Sequence, residues 1–276
     1  MPVPRTPEGR AGLAAIRRDP ARALIALDYD GTLAPIVADP RAARAQPGAA
    51  SALRELSWLV GTLAVITGRP AEVAVELGGF AAVPGLVVLG HYGFEHWQDG
   101  VLTSRPSPPG VAAARTRLPE VLAHAGAPEG TWTEDKGHAV AVHTRRAADP
   151  AGALAHLAGP LAELAAATGL VVEPGRLVIE LRPHGTDKGS ALTALAAERN
   201  ALAVLFAGDD LGDRAAFAAV RALRQAGHPG LTVCSASGEV TALAQEADLV
   251  VEGPEGVIAL LGSLARVLAG PPRPAR

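Results

Sequence analysis

The chain has 276 residues, of which 49% are apolar and 19% are charged, and its formal net charge is −3. This length suffices for one large domain or for two modest ones with a substantial hydrophobic core. The near-neutral balance gives no general attraction to nucleic acid or to an anionic membrane surface, so neither is expected as a partner.

In the first part of the chain, short apolar runs alternate with segments that carry apolar residues at helical spacing. The predicted elements are, in chain order, a strand at 23–28, a helix at 47–60, a strand at 62–67, a helix at 70–77 and a strand at 86–90. This alternation is typical of parallel strands joined by crossover helices. A hairpin around Asp99-Gly100 is predicted next.

The pattern changes after the proline-rich segment 104–110. It predicts a helix to about residue 125, strands at 131–136 and 138–145, a helix over 150–168, and two strands within 170–183 that turn at Pro174-Gly175. Such an order indicates an antiparallel α+β unit. From 187 onward the α/β alternation returns.

These patterns together predict an α/β fold with a doubly wound, Rossmann-like parallel-sheet core and an inserted α+β cap domain. The core is expected to comprise residues 1–99 and 184–276, and the cap residues 100–183.

Polar residues follow the predicted parallel strands where each strand ends. Asp28 and Asp30 follow the first strand, Thr67-Gly68-Arg69 follows the second, and Asp209, Asp210 and Asp213 follow the strand 202–208. Because ligands of open parallel sheets bind beyond the carboxyl ends of the strands, these residues are expected to meet at one site. Lys188 precedes that last strand, at the start of a predicted helix.

Five carboxylates at one edge repel each other unless a cation joins them, and oxygen ligands without histidine or cysteine favour Mg²⁺. Asp28 is then placed for nucleophilic attack and Asp30 for proton transfer. Thr67 and Lys188 would hold phosphoryl oxygens, while Gly68 allows close approach and Arg69 adds positive charge. Taken singly, each motif also fits an ordinary turn or an acid-rich helix start.

The segments "DYDGTL", "ITGRP", "TDKGSAL" and "GDDLGD" resemble, in this order, the four motifs of the haloacid-dehalogenase-like phosphatases. The resemblance implies a phospho-aspartyl intermediate on Asp28, with Asp30 as general acid and base. It also implies phosphate contacts from Thr67 and Lys188. Mg²⁺ would lie on Asp28, Asp30 and Asp209, with Asp210 or Asp213 nearby.

The predicted cap concentrates polar side chains at alternate strand positions. Glu134 and Lys136 are two residues apart on one strand, and His143 and Arg145 are two apart on the next, so each pair shares a face. Acid, amine and imidazole groups suit a hydroxyl-rich ligand. A solvated sheet face explains the same pattern without a ligand.

The segments "GHYGFEHW" (90–97), "WTEDKGHAVAVHTR" (132–145) and "VIELRP" (178–183) resemble those of the trehalose-6-phosphate phosphatase family, and the resemblance covers roughly residues 22 to 265. This implies sugar-recognising roles for a set of polar residues, namely His91, Glu95, Glu134, Lys136 and Glu180. In "GDDLGD", Gly212 stands where the family usually has threonine, and Arg214 follows where an acid is common.

The expected function is Mg²⁺-dependent hydrolysis of trehalose 6-phosphate to trehalose and phosphate, in trehalose biosynthesis. Another sugar-phosphate phosphatase, a phosphosugar mutase with the same core, and a non-catalytic sugar-phosphate sensor remain alternatives. Cys234 is the only cysteine and the N-terminus lacks a signal-peptide core, so a cytoplasmic protein without a membrane span is expected. The sequence leaves the oligomeric state open.

Overall fold

The computed structural model describes residues 1–37, 39–175, 177–236 and 241–270. The chain forms two compact units, Met1–Ser104 with Asp187–Arg276, and Arg105–Thr186. The smaller unit begins later than residue 100 because the hairpin around Asp99-Gly100 pairs with the large sheet.

The secondary structure follows the predicted order closely, with strand and helix ends shifted by a few residues. The elements are α1 Pro7–Arg18, β1 Ala23–Leu27, α2 Ala49–Ser57, β2 Thr62–Ile66, α3 Ala71–Gly78, β3 Val87–Gly90, β4 Glu95–Gln98, β5 Val101–Ser104, α4 Pro109–His124, β6 Trp132–Asp135, β7 Val140–His143, α5 Pro150–Thr168, β8 Leu170–Gly175, β9 Val178–Pro183, α6 Lys188–Glu198, β10 Ala203–Gly208, α7 Arg214–Gln225, β11 Gly230–Ala236, α8 Thr241–Glu246, β12 Leu249–Glu252 and α9 Gly253–Ala269.

The larger unit is built on an eight-stranded sheet in the order β12-β11-β10-β1-β2-β3-β4-β5. Its first six strands are parallel, and the β4–β5 hairpin adds an antiparallel edge. The chain reverses direction across the sheet at β1, whose neighbours are β10 and β2. In open α/β sheets this crossing point marks the ligand site.

Alternate residues of β1 pack into two separate cores, one on each face of the sheet. Ile25 and Leu27 belong to the cluster that includes residues of α1, α2, α3 and α9, whereas Leu24 and Ala26 belong to the cluster with residues of α6, α7 and α8. A strand buried on both faces reads as a continuous apolar run, which is why "ALIAL" contains no polar residue.

The smaller unit is a four-stranded antiparallel sheet in the order β6-β7-β9-β8 with two helices. Val140 and Val142 of β7 pack with Leu118 of α4 and Leu157 of α5 in its core. The alternate residues, including His143 and its neighbours across β6 and β9, therefore point to the face that lacks these helices.

Three details of the sequence prediction are wrong or incomplete. Pro174 and Gly175 are paired with Ile179 and Val178, so they end strand β8 and do not form the turn. Strand β7 ends at His143, which leaves Arg145 in the turn beyond it. Helix α1 was not predicted, although Thr6 accepts a hydrogen bond from the Gly9 N–H, a typical N-cap.

None of the helices in the described ranges is both long enough and apolar enough to cross a membrane.

Candidate active site

The site begins where β1 ends, at Asp28. The Asp28 N–H donates to the carbonyl of Ala207 at 2.9 Å, which extends the β1–β10 pairing by one residue. The side chain of Asp28 is buried, and the residue is 3% exposed. A buried carboxylate is costly without a partner of opposite charge.

Lys188 supplies that charge. It is the first residue of α6, whose N-terminus is fixed by a capping box between Asp187 and Ser190. Its Nζ lies 2.7 Å from Asp28 Oδ1 and 2.7 Å from Asp213 Oδ1. All three side chains are buried, so one ammonium bridges two carboxylates in a site shielded from water.

Asp213 organises the end of β10. Its second oxygen, Oδ2, accepts the backbone N–H of Asp209 at 2.9 Å and that of Asp210 at 3.2 Å. Carboxylate oxygens of Asp28, Asp209 and Asp213 all lie within 4.8 Å of one another. Acids from the ends of β1 and β10 therefore meet as the parallel-sheet rule requires.

Two glycines make this crowding possible. A Cβ on Gly31 would lie 1.9 Å from Asp209 Oδ2, and a Cβ on Gly208 would lie 2.3 Å from Asp213 Cγ. Gly31 also has φ +72, a conformation that disfavours other residues. Its carbonyl accepts a hydrogen bond of 2.7 Å from the buried hydroxyl of Ser235, which holds the loop in place.

Burial dominates the electrostatics of the acids. It raises the pKa of Asp28 well above its ordinary value despite the attraction of Lys188. Burial, with repulsion from Asp213 and Asp210, raises the pKa of Asp209 to about 7. Burial alone lowers the pKa of Lys188, but the charges of Asp213 and Asp28 outweigh it and hold that pKa well above its ordinary value.

This arrangement fits a divalent cation such as Mg²⁺. The donors of the three-acid cluster are oxygens, which is the ligand type that Mg²⁺ prefers. Burial and the charges of neighbouring acids raise the pKa values of Asp28 and Asp209, a penalty on their ionised forms that a bound cation would remove. In the loop after Asp28, the buried Thr32 Oγ1 has no hydrogen-bond partner among the described residues.

Asp30 and Asp210, both predicted as metal ligands, lie outside the three-acid cluster. Asp30 forms a bidentate ion pair with Arg69: the Arg69 Nε lies 2.7 Å from Asp30 Oδ2, and the Arg69 Nη2 lies 2.6 Å from Asp30 Oδ1. The guanidinium also donates to the Pro40 carbonyl at 2.8 Å and lies over the Tyr29 ring. Asp210 is exposed and accepts the Gly212 N–H at 2.8 Å.

Residues 67–71, which we call the phosphate loop, follow β2 directly and include Thr67, Gly68 and Arg69, which are predicted to lie at the phosphate site. The buried Thr67 hydroxyl accepts the Arg69 N–H at 3.2 Å, which folds the loop back on itself. Glu95 accepts the Ala71 N–H at 2.7 Å, and His91 Nε2 lies 3.8 Å from the other Glu95 oxygen. His91 and Glu95, both predicted to bind the sugar, thus contact each other, and Glu95 also contacts this loop.

In the smaller unit the predicted polar residues form two pairs. Lys136 Nζ lies 2.5 Å from Glu180 Oε2, and His143 Nε2 lies 2.9 Å from Glu134 Oε2. The pairing of β6 with β7 and of β7 with β9 places these groups on neighbouring strands. Arg145 is exposed in the turn after β7 and lies off the strand that carries His143.

Sequence reasoning missed one supporting residue in each unit, Trp132 in the smaller and Ser235 in the larger. Trp132 stacks on the His143 ring, with centroids 4.4 Å apart, and the Arg146 guanidinium lies over the same indole. Ser235 follows Cys234 at the carboxyl end of β11, so the rule that gathered Asp28 and Asp209 would also have found Ser235.

Comparison with known proteins identifies relatives for this arrangement. A model of the trehalose-phosphatase family matches residues 26–252. An uncharacterized glycosyl hydrolase of Mycobacterium tuberculosis is 37% identical over 215 residues, which are 72% of this chain and 15% of that protein. The trehalose-phosphate phosphatase of Mycobacterium avium is 37% identical over 229 residues, which are 77% of this chain and 54% of that enzyme. The chain thus spans about half the length of the Mycobacterium avium enzyme and much less of the Mycobacterium tuberculosis protein.

The fold has solved counterparts as well. The structure of Aspergillus fumigatus trehalose-6-phosphate phosphatase superimposes with a TM-score of 0.71 at 25% identity, covering 96% of this chain and 99% of that one. The family match includes the strand ends that carry Asp28 and Asp209 and the start of α6 that carries Lys188. The chain belongs to the trehalose-phosphatase family.

Proposed function

We propose that this chain is a Mg²⁺-dependent phosphatase that hydrolyses trehalose 6-phosphate to trehalose and phosphate, in trehalose biosynthesis. The observation that carries the proposal is the buried contact of Lys188 with Asp28 and Asp213, beside Asp209, at the carboxyl ends of β1 and β10. Family membership and the named phosphatase relatives support the choice of substrate.

In the proposed reaction an Asp28 oxygen attacks phosphorus, and the bond from phosphorus to the sugar oxygen breaks. Asp30 donates a proton to the leaving oxygen, then takes one from the water that cleaves the acyl phosphate and restores Asp28. For this, Asp30 must leave its ion pair with Arg69. Lys188 and the Thr67 hydroxyl would hold phosphoryl oxygens, and Arg69, once released, would add a third contact.

Asp28, Asp209 and Asp213 are the residues proposed to hold Mg²⁺, which supplies charge neutralisation for the phosphoryl group. Of these, Asp213 has both oxygens already engaged in hydrogen bonds, from Lys188 and from the N–H groups of Asp209 and Asp210. Asp30 and Asp210, outside the cluster, would join only after their side chains leave Arg69 and Gly212.

Sugar recognition is assigned to the helix-free face of the smaller unit. The Lys136–Glu180 and Glu134–His143 pairs offer donors and acceptors within a few ångströms of each other. Hydroxyls of a sugar can donate to the carboxylates and accept from the amine and imidazole, which favours a sugar phosphate over an ester that lacks hydroxyls.

The test is phosphate release from a panel of substrates, with Mg²⁺ and with a chelator. Trehalose 6-phosphate, glucose 6-phosphate and sucrose 6-phosphate distinguish the proposed enzyme from a broader sugar phosphatase. We expect turnover of the trehalose ester to exceed the others by about tenfold or more, a difference of at least about 1.4 kcal/mol in transition-state binding. Equal turnover across the panel would contradict the assignment, as would binding without phosphate release.

The nucleophile is tested with Asp28→Asn, and Asp19→Asn makes the same chemical change at the end of α1, before the amino-terminal end of β1, whereas Asp28 follows the carboxyl end of that strand. Asp28→Asn should abolish phosphate release, and Asp19→Asn should leave it intact. Acid-quenched wild-type protein should also carry substrate-derived phosphate that hydroxylamine removes, as expected for an acyl phosphate. Activity retained in Asp28→Asn would refute the assigned role.

A further inference from the structure

The turn between β3 and β4 has an unusual backbone. His91, Tyr92 and Gly93 have φ values of 46°, 58° and 94°, so three consecutive residues lie in the left-handed region. For residues other than glycine this region is costly, and such strain persists only where surrounding contacts enforce it. The contacts in this case lead to the phosphate loop, residues 67–71.

The strained turn is hydrogen-bonded to that loop through its backbone. The His91 N–H donates to the Arg69 carbonyl at 2.9 Å, and the Tyr92 N–H donates to the Thr67 carbonyl at 3.0 Å. The two bonds hold the residues on either side of Gly68. A shift of the turn would therefore move Thr67 and Arg69 together.

Glu95 fixes the far end of the same loop. Its Oε2 accepts the Ala71 N–H at 2.7 Å, and Ala71 is the first residue of α3. Pro70, in the N-cap position, provides no side-chain cap, so Glu95 satisfies one of the free N–H groups at this helix end from another strand. A carboxylate is favourable there because the helix N-terminus carries partial positive charge.

Two glycines are needed for these contacts. A Cβ on Gly90 would lie 2.3 Å from the Ala71 nitrogen and 2.8 Å from Glu95 Oε2, which would separate the carboxylate from the helix. A Cβ on Gly68 would lie 2.7 Å from the Tyr92 hydroxyl oxygen. Loop and turn thus fit together only with glycine on both sides.

We propose that Glu95 is a positioning residue for phosphoryl transfer, which acts by holding the phosphate loop so that Thr67 and Arg69 meet the phosphoryl group. The proposal rests on the proposed function and reassigns Glu95 from the sugar to the phosphate end of the substrate. Its consequence is specific: Glu95 matters equally for every phosphate ester, whatever alcohol the ester carries.

The experiment compares trehalose 6-phosphate with p-nitrophenyl phosphate, which has no sugar. In Glu95→Gln the side chain keeps its size and loses its charge. We expect kcat to fall about tenfold or more on both substrates by the same factor, since displacements of about 1 Å can cost 10²-fold. Glu134→Gln, in the proposed sugar site, should impair only the trehalose ester. Glu72→Gln, an exposed acid in the first turn of α3, is the matched control and should change neither rate.

A Glu95→Gln loss confined to trehalose 6-phosphate would overturn the proposal in favour of sugar binding, and unchanged rates on both substrates would overturn it outright. If Glu95→Gln does not fold, Glu95→Asp is used instead, since it keeps the charge on a shorter side chain. The same comparison then applies, namely the loss of kcat on trehalose 6-phosphate against the loss on p-nitrophenyl phosphate. Amide hydrogen exchange at Ala71 gives a readout apart from activity, and it should be faster in the variant than in the wild type. Wild-type turnover of p-nitrophenyl phosphate without turnover of the trehalose ester would refute the proposed function. The role of Glu95 would then still be decided by the effect of Glu95→Gln on p-nitrophenyl phosphate.

Discussion

The pH dependence of the metal-free protein reports directly on the buried acids at the site. Burial and the charges of Asp213 and Asp210 raise the pKa of Asp209 from 3.8 to about 7. Between pH 3.8 and about pH 7, Asp209 keeps its proton in the folded protein but has released it in the unfolded chain. Asp209 therefore stabilises the metal-free fold below pH 3.8, and this contribution is lost as the pH rises through 7.

The magnitude follows from the width of that window. Each pH unit between 3.8 and about 7 changes the free energy of unfolding by about 1.4 kcal/mol, so the loss is on the order of 4 kcal/mol. Asp209 is 5% exposed, so screening by solvent removes little of it. That loss is a large share of the stability of an ordinary domain.

The assay is urea unfolding with chelator present, at several pH values from 4 to 8, for wild type and Asp209→Asn. Asparagine cannot titrate, so the difference between the two stability curves reports the titration of Asp209 together with its electrostatic coupling to neighbouring acids such as Asp28. We expect the wild type to lose stability relative to Asp209→Asn as the pH rises, mostly between pH 5 and 7.5. Asp19→Asn serves as the control and should run parallel to the wild type.

Mg²⁺ should reverse the effect, because the cation and the proton compete for the same oxygens. At a fixed Mg²⁺ concentration of one hundred times the Kd at pH 8, the cation should stabilise the fold by about 2.7 kcal/mol. We expect a smaller gain from the same concentration at pH 5, where protons weaken Mg²⁺ binding. Parallel curves for wild type and Asp209→Asn, or a Mg²⁺ effect independent of pH, would refute the reasoning.

Three further predictions concern buried charges. Lys188→Met leaves the acids of the site without their cation and should lower the free energy of unfolding by about 3–5 kcal/mol at pH 8, as measured by urea unfolding. The loss should be smaller at pH 5, where the acids take up protons, and equal losses at both pH values would contradict this. Asp248 is buried and its pKa is lowered, since hydrogen bonds from Arg224 and from Thr6 and Thr232 outweigh the effect of burial. It therefore contributes stability above pH 3.8 that is lost at lower pH, and Asp248→Asn should flatten the acid limb of the stability curve. Arg69→Lys keeps the charge but loses the two-pronged contact with Asp30, which should lower stability by about 1–3 kcal/mol, and an unchanged urea midpoint would argue against a structural role for that pair.

Much of the fold could be predicted from the sequence because two local patterns agree with the tertiary structure. Strands buried on both faces appear as apolar runs, and the helices between them appear as amphipathic segments, so the order of elements in both units was predicted nearly completely. The turn at Pro174-Gly175 was misplaced because a proline and glycine can also end an edge strand, and β8 is an edge strand of its sheet.

The place of the site was likewise determined by sequence, since parallel strands bring their carboxyl ends to one edge of the sheet. Asp28 and Asp209 could be grouped from strand ends, and Lys188 from the start of the helix that leads into the strand of Asp209. In the structure Lys188 contacts Asp28, and Asp209 lies close to Asp28. What each side chain does there depends on contacts between segments distant in sequence, which carry no local signal. Only the tertiary structure decided that Asp30 is held by Arg69 and that Glu95 caps α3, because a carboxylate takes whichever donors the packed chain brings within reach.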